Sequence, residues 1–412
     1  LLIFLLSILL IYNYQISYNE VGFVEGMTPI SLDFTIIISI IIMLIFLTVL
    51  IPKKIESPSD IFIFIYLFFV VYSSILFSSI SIYVDILEKI YLFLILVFPI
   101  IILKIIPKIS LGFIIPKLIP KKNKLIFLLM ILVIVITYSL NIGQNLGGFN
   151  FIEMYVRRIE GRDLVPDGSI AAYLITITSN AIVPFISFLS GLNKNKVLFV
   201  ISLLCGLFFF WFLGLKGVII YILFYSLLGY LIRQKNLFKL SQIILKFSIA
   251  IILISIFEKF IFDTFFINNF LIRRIFLVPG FLQSFYFDSI FENFDTFIYG
   301  KNISGYIDVT YLIGLEYFQN PLINANTNSF LYWFLKFGFL GYFLNIFFIV
   351  FFVRILDGFY YVNKNSSFLF VACLSSILMA EQSFTTSLMS GGIFFILILS
   401  IFSKIKNKII KS

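Results

Sequence analysis

Arginine is scarce in this chain, and its placement is the first chemical signal. Lysine and arginine together number 30, yet only Arg157, Arg158, Arg162, Arg233, Arg273, Arg274 and Arg354 are arginines. Most of these fall in two clusters, Arg157/Arg158/Arg162 and Arg273/Arg274, far apart in sequence. A guanidinium holds a phosphate or carboxylate by two parallel hydrogen bonds, a geometry that an ammonium cannot match. In a chain that otherwise prefers lysine, this points to capture of an anionic ligand, such as a lipid pyrophosphate, by two converging loops. The competing account pairs the same arginines with Glu153, Glu160 and Asp163 or with lipid headgroups.

Lys216 stands alone in Phe212-Leu-Gly-Leu-Lys216-Gly, between two apolar runs. A charge at the centre of a membrane helix costs about 2.5–3.5 kcal/mol on insertion scales. It is either a cation at the mouth of a cavity or a snorkelling side chain on a tight turn. Lys336 reads as a snorkelling or paired lysine. Among the acids, Asp288 lies in the apolar segment Ser284–Asp288, and Glu381 opens Glu381-Gln382-Ser383 at the end of a span. A carboxylate so placed can have a raised pKa and take a proton from a hydroxyl, or it can pair with a nearby arginine. Most other acids, including Glu292, Asp308 and Glu316, are expected to be solvated. Tyr286, with Tyr299, Tyr306, Tyr311, Tyr317 and Trp333, either stacks on sugar rings or forms an interfacial belt.

The missing residues narrow the chemistry. There is no histidine, so no histidine triad, ligand or general base exists. Cys205 and Cys373 both lie in apolar runs, which disfavours a disulfide framework or a zinc site. No metal or cofactor is expected. The positive charge does not gather on a polar domain, so nucleic acid is not an expected partner.

The elements that must position these groups are membrane helices. The chain is 61% hydrophobic and 12% charged, where a soluble domain carries about 25% charged residues. Windows of about 20 apolar residues mark twelve spans: 1–12, 30–51, 61–80, 87–106, 125–141, 169–191, 197–215, 218–232, 243–262, 328–352, 367–381 and 385–403. The opening run lacks a basic front and a small-residue cleavage site, so it reads as a short span and not as a signal peptide. Lysines alternate between loops and crowd the tail at Lys404, Lys406, Lys408 and Lys411. By the positive-inside rule both termini are cytoplasmic. The fold expected is a single all-α polytopic membrane domain over 1–412, with long external loops at 142–168 and 263–327 covering the site. The apolar stretch Ile275–Phe291 is expected to be interfacial or re-entrant, broken at Pro279-Gly280.

Two segments carry a family resemblance. Ile272-Arg273-Arg274-Ile275-Phe276-Leu277-Val278-Pro279-Gly280, followed by Tyr286-Phe287-Asp288, resembles the large outer loop of Wzy-type O-antigen polymerases. Ile323-Asn324-Ala325-Asn326-Thr327-Asn328, entering a helix with Phe337-Gly338-Phe339-Leu340-Gly341, is similar to the Asn-rich loop end of that family. Arg157 and Gly168 also match an arginine–glycine spacing described for some members; Ser284 stands where Arg273 would need the glycine.

The resemblance implies a bacterial inner-membrane enzyme similar to the lipid-dependent GT-C glycosyltransferases. Its substrate would be an undecaprenyl-pyrophosphate-linked oligosaccharide, and its surroundings membrane lipids, a flippase and a chain-length regulator. On that reading Arg157, Arg158, Arg273 and Arg274 hold the leaving pyrophosphate, with Arg162 and Lys216 as further cations. Asp288 is the base, Asn324 and Asn326 bind sugar hydroxyls, and Tyr286 and Glu381 contact substrate. The rival readings are a flippase or other transporter, an O-antigen ligase and a non-catalytic assembly factor. Ligases use a loop histidine that this chain lacks. Transport predicts internal repeats and mid-membrane charges, and neither is legible here.

Overall fold

The computed structural model describes residues 1–21, 28–30, 33–78, 85–107, 121–142, 165, 168–215, 217–303 and 308–402. Every regular element among them is helical. In chain order these are α1 (Leu2–Val21), α2 (Phe34–Leu50), α3 (Pro58–Phe77), α4 (Ile86–Ile105), α5 (Lys121–Ile142) and α6 (Ile170–Asn193). Then come α7 (Lys196–Leu213), α8 (Gly217–Arg233), α9 (Leu240–Phe262), α10 (Asn268–Phe291), α11 (Phe294–Tyr299) and α12 (Val309–Phe318). The chain closes with α13 (Ser329–Asn363), α14 (Ser367–Met379), α15 (Phe384–Leu388) and α16 (Ile393–Phe402).

Among the described residues, seven helical segments are long and apolar enough to cross a membrane: Leu2–Asn19, Pro58–Phe77, Ile86–Ile105, Ile170–Asn193, Leu237–Phe262, Asn268–Phe291 and Ser329–Asn363. Six shorter apolar helices accompany them. The protein is a helical membrane protein. Its outer surface is apolar, as lipid contact requires. Ile38, Ile42, Ile45 and Val49 of α2 and Phe257, Phe260 and Ile261 of α9 are exposed. At the centre lie α3 and α14, apolar on all sides and buried on all sides, as such helices must be. Close approach between helices uses small residues. A Cβ on Gly229 of α8 would sit 2.2 Å from the Phe188 carbonyl of α6, and Ser187 Oγ donates to the Ile222 carbonyl at 2.6 Å.

Four expectations change. The first helix runs to Val21, well beyond residue 12. The stretch around Pro279-Gly280 is not broken: α10 is continuous from Asn268 to Phe291, beginning with a wide π-helical stretch, Asn268–Leu277. Pro279 falls where the chain passes from π to α geometry, and Gly280 lets the helix touch α3, since a Cβ there would lie 2.4 Å from the Ser73 carbonyl. The segment 263–327 is therefore mostly helix, and not a loop.

The third change concerns α13. Gly338 has φ +65° and ψ −160°, which breaks the helix. Asn345 Nδ2 donates to the Ser329 carbonyl at 2.9 Å. Sixteen residues of straight helix would hold these positions about 24 Å apart. The Phe334 and Tyr342 rings stack with centroids 5.0 Å apart, which again needs the two halves side by side. So 329–337 is a half-helix folded back along 339–363, and the expected span 328–352 is a hairpin. Gly341 makes room for it, because a Cβ there would stand 2.7 Å from the Trp333 carbonyl.

The fourth change is near the C-terminus. The expected span 385–403 is interrupted: α15 ends at Leu388, Gly392 adopts φ +78°, and α16 starts at Ile393. The helix α14 is also short, about 20 Å by its thirteen residues, against a hydrocarbon core of about 30 Å.

Candidate functional site

The half-helix and the segment before it build a polar patch at one end of the bundle. Asn293 caps α11 by accepting from Thr296 N at 2.8 Å, and Gly300 ends that helix with φ +91°. Gly300 and Gly338 let two backbones touch: a Cβ on Gly300 would meet the Lys336 carbonyl at 2.5 Å, and one on Gly338 the Ile298 carbonyl at 2.1 Å. Breaking α13 at Gly338 frees the Leu335 carbonyl, which accepts from Lys301 N at 2.7 Å. The break is thus satisfied by backbone just after α11, as buried irregular structure requires.

This contact delivers the Lys301 side chain. Its ammonium donates to Ser289 Oγ at 2.8 Å and to Glu292 Oε2 at 2.7 Å, and it lies 2.9 Å from Glu316 Oε1. Burial by itself would pull the Lys301 pKa down, but hydrogen bonds and charge from Glu292 and Glu316 outweigh it and raise it. Beside it, Tyr317 donates to Asp288 Oδ2 at 2.5 Å while its ring stacks on Phe285, centroids 4.3 Å apart. Burial first, then the hydrogen bond and charge of Asp288, push the Tyr317 phenol well above its ordinary range. A second knot ties α12 to the half-helix. Tyr332 donates to Asp308 Oδ2 at 2.7 Å, and Lys336 Nζ donates to Asp308 Oδ1 at 3.1 Å and to Tyr332 Oη at 2.9 Å.

The sequence candidates that fall among the described residues each have a definite setting. Asp288 is half-buried and held by Tyr317. Arg273 is half-buried and Arg274 exposed, both on the π-helical stretch of α10. Tyr286 is fully buried and donates to the Ala325 carbonyl at 2.9 Å, so its role is to tie the chain before α13 to α10. That corrects the expectation that its ring faces a ligand. Asn324 and Asn326 are exposed, and so is Glu381 at the turn after α14. Arg157, Arg158, Arg162 and Lys216 lie outside the described residues, as do most of the 142–168 segment and the lysine tail. Lys336 is paired, as expected of it. Lys301 had no sequence signal, and Asp308 and Glu316 are ion-paired where solvation was expected.

The other end of the bundle is built differently. Arg354 and Asp357 form an ion pair of 2.8 Å one turn apart on α13, with side chains 4% and 0% exposed. Asp357 Oδ1 accepts from Ser59 N, at the start of α3. Arg354 donates to the Leu103 and Ile106 carbonyls, at the end of α4. Carboxylate at a helix start and guanidinium at a helix end both complement the helix dipole. Lys104 caps a third helix, donating to the Leu50 carbonyl at 2.6 Å.

Among the described residues, no group of three or more histidine, cysteine, aspartate or glutamate side chains could hold a metal. No protein-family model matches this chain, and neither a curated protein nor a solved structure matches it.

Proposed function

We propose that this protein is a polymerase of lipid-linked oligosaccharide repeat units, of the Wzy type, working at one face of a bacterial inner membrane. The observation that carries the proposal is the asymmetry of the bundle's two ends. Partly exposed acids, lysines and tyrosines gather on α10–α12 and the half-helix, whereas Arg354 and Asp357 at the far end are sealed. An enzyme acting at one face needs one open polar end. On the expected lysine distribution, we read the open end as the outer one and both termini as cytoplasmic.

In the proposed reaction a sugar hydroxyl of the incoming unit attacks the anomeric carbon of the growing glycan. The carbon–oxygen bond to the lipid pyrophosphate breaks, and the hydroxyl proton passes to a carboxylate, Asp288 being the candidate. Arg273 and Arg274 would stabilise the charge that develops on the leaving pyrophosphate. Tyr317 orients Asp288 by occupying one carboxylate oxygen. A flippase for the same lipid-linked units is the second reading, favoured by the half-helix whose N-terminus lies inside the bundle.

The deletion strain separates the two. Lipid carrying a single repeat unit at the outer face is the expected result; units trapped at the cytoplasmic face would replace the polymerase with the flippase. Arg273→Ala or Arg274→Ala should leave folded protein and stop elongation at single units. Normal long chains from both variants would remove the arginine role.

A further inference from the structure

The half-helix 329–337 begins inside the bundle. Ser329 is level with Asn345, which lies about 10 Å along α13 from Gly338 and about 14 Å from Arg354. Its depth is therefore near the middle of the bundle. A second irregular segment reaches the same depth: the turn after α14, where Phe384 N donates to Ser329 Oγ at 2.8 Å. Irregular backbone at membrane depth is tolerated where it is buried in protein or lines a polar cavity.

The side chains at this seam carry unspent hydrogen-bonding capacity. Among the described residues, Thr327 Oγ1, Asn328 Nδ2, Gln382 Nε2 and Ser387 Oγ are buried atoms with no hydrogen-bond partner. Thr327, Asn328 and Ser387 are 4%, 0% and 0% exposed. The Asn328 amide is fixed in orientation, because its Oδ1 accepts from Phe330 N and Leu331 N. On the adjoining helix, Gln283 is 1% exposed with both amide atoms unpartnered, one turn before the Tyr286 that holds Ala325. Buried polar groups are nearly always paired, so several orphans at one seam mark a place that receives a polar partner.

Charge decides which partner. The orphan groups are hydroxyls and amides, and the acid next in sequence, Glu381, is exposed. An anion at this depth would have no cation among these groups to offset its desolvation. A neutral ligand rich in hydroxyls meets hydroxyls and amides with no such penalty. The geometry points to a subsite for an uncharged sugar ring at the seam between Thr327–Ser329 and Gln382–Ser387, opened by motion of the half-helix about Gly338. The inference rests on the polymerase reading, for which it names the place that takes the sugar and not the pyrophosphate.

The test uses the full chain, purified in lipid nanodiscs, with Thr327→Val, Ser387→Ala and the double variant. Asn328 is left intact because it caps the half-helix. Heat stability is measured alone, then with each of a panel of neutral monosaccharides (glucose, galactose, N-acetylglucosamine, rhamnose), and with inorganic pyrophosphate. Removing orphan hydroxyls should leave the empty protein at least as heat-stable as the parent. At least one sugar should stabilise the parent, and its apparent affinity should fall about tenfold in the double variant. The pyrophosphate response should not change between them. Three results would overturn the subsite: variants that melt lower and keep the sugar response, no response of the parent to any sugar, or a pyrophosphate response lost with the hydroxyls. A deletion strain that still makes long glycans would instead defeat the polymerase reading, while a sugar response lost in the double variant would stand.

Discussion

The two ends of α13 use the same kinds of ionic groups to opposite effect. At Arg354–Asp357 the charges are buried, and every partner named is backbone at the end of a helix or a side chain beside it. That arrangement locks α3, α4 and α13 together. At Lys301 and Lys336 the partners are the carboxylates of neighbouring helices, and the groups keep partial access to solvent. Glu292 is 57% exposed while Lys301 is 14% exposed. Burial, and not the number of ion pairs, separates the structural bolt from the accessible polar patch.

Substitution at the sealed end should have the largest effect. Arg354→Ala should cost about 3–5 kcal/mol by leaving Asp357 buried without its partner. Detergent-solubilised yield and melting temperature would register this, and a variant as stable as the parent would make the two ends equivalent. Next in size is Gly338→Ala. The φ of +65° and the Ile298 carbonyl both oppose a Cβ, so about 1–3 kcal/mol should be lost. Loss of the fold-back would show as altered cross-linking between cysteines placed at Ser329 and Asn345.

Lys301→Met should have a smaller effect on stability, about 0–1 kcal/mol, because its pairs are partly screened by solvent. It should still abolish glycan elongation if the open end is the working one; unchanged elongation would separate the cluster from function. The pH dependence gives the sign of the interaction. The Lys301 pKa is raised in the folded protein, so its stabilisation is complete below the ordinary lysine value of about 10.4 and fades as pH rises through the folded value. An alkaline melting series on the parent and Lys301→Met should converge only at high pH. Tyr317→Phe should cost stability on the same small scale, at most about 1 kcal/mol for its one hydrogen bond, and should alter elongation least, since it frees an Asp288 oxygen without removing a charge. Its signature is a changed pH profile of elongation with little change in melting.

Much of the helical layout was legible. Apolar windows locate the helices because lipid contact demands apolar residues over a set length, and the apolar flanks of Lys336 already mark it as paired or snorkelling. The hairpin at Gly338 was not legible. Residues 328–352 are apolar throughout, and hydropathy cannot distinguish one straight helix from two antiparallel halves. The usable signal was Asn328 followed by Gly338 and Gly341, a helix cap and two glycines within one supposed span. The break after Leu388 was hidden in the same way, since Gly391-Gly392 sits between apolar neighbours. Lys301 was missed because its partners, Glu292 and Glu316, are placed by α10 and α12 and not by sequence periodicity.

Composition and hydropathy alone make the chain helical and membrane-embedded, without histidine chemistry, and put several of its acids within residues 263–327. Composition suffices for this, because water and lipid sort side chains by polarity alone. Which charges are sealed, which stay accessible, and that a half-helix starts in the middle of the bundle are set by tertiary contacts. Both depend on backbone turns at single glycines and on contacts between distant segments, and a hydropathy profile holds no information about either.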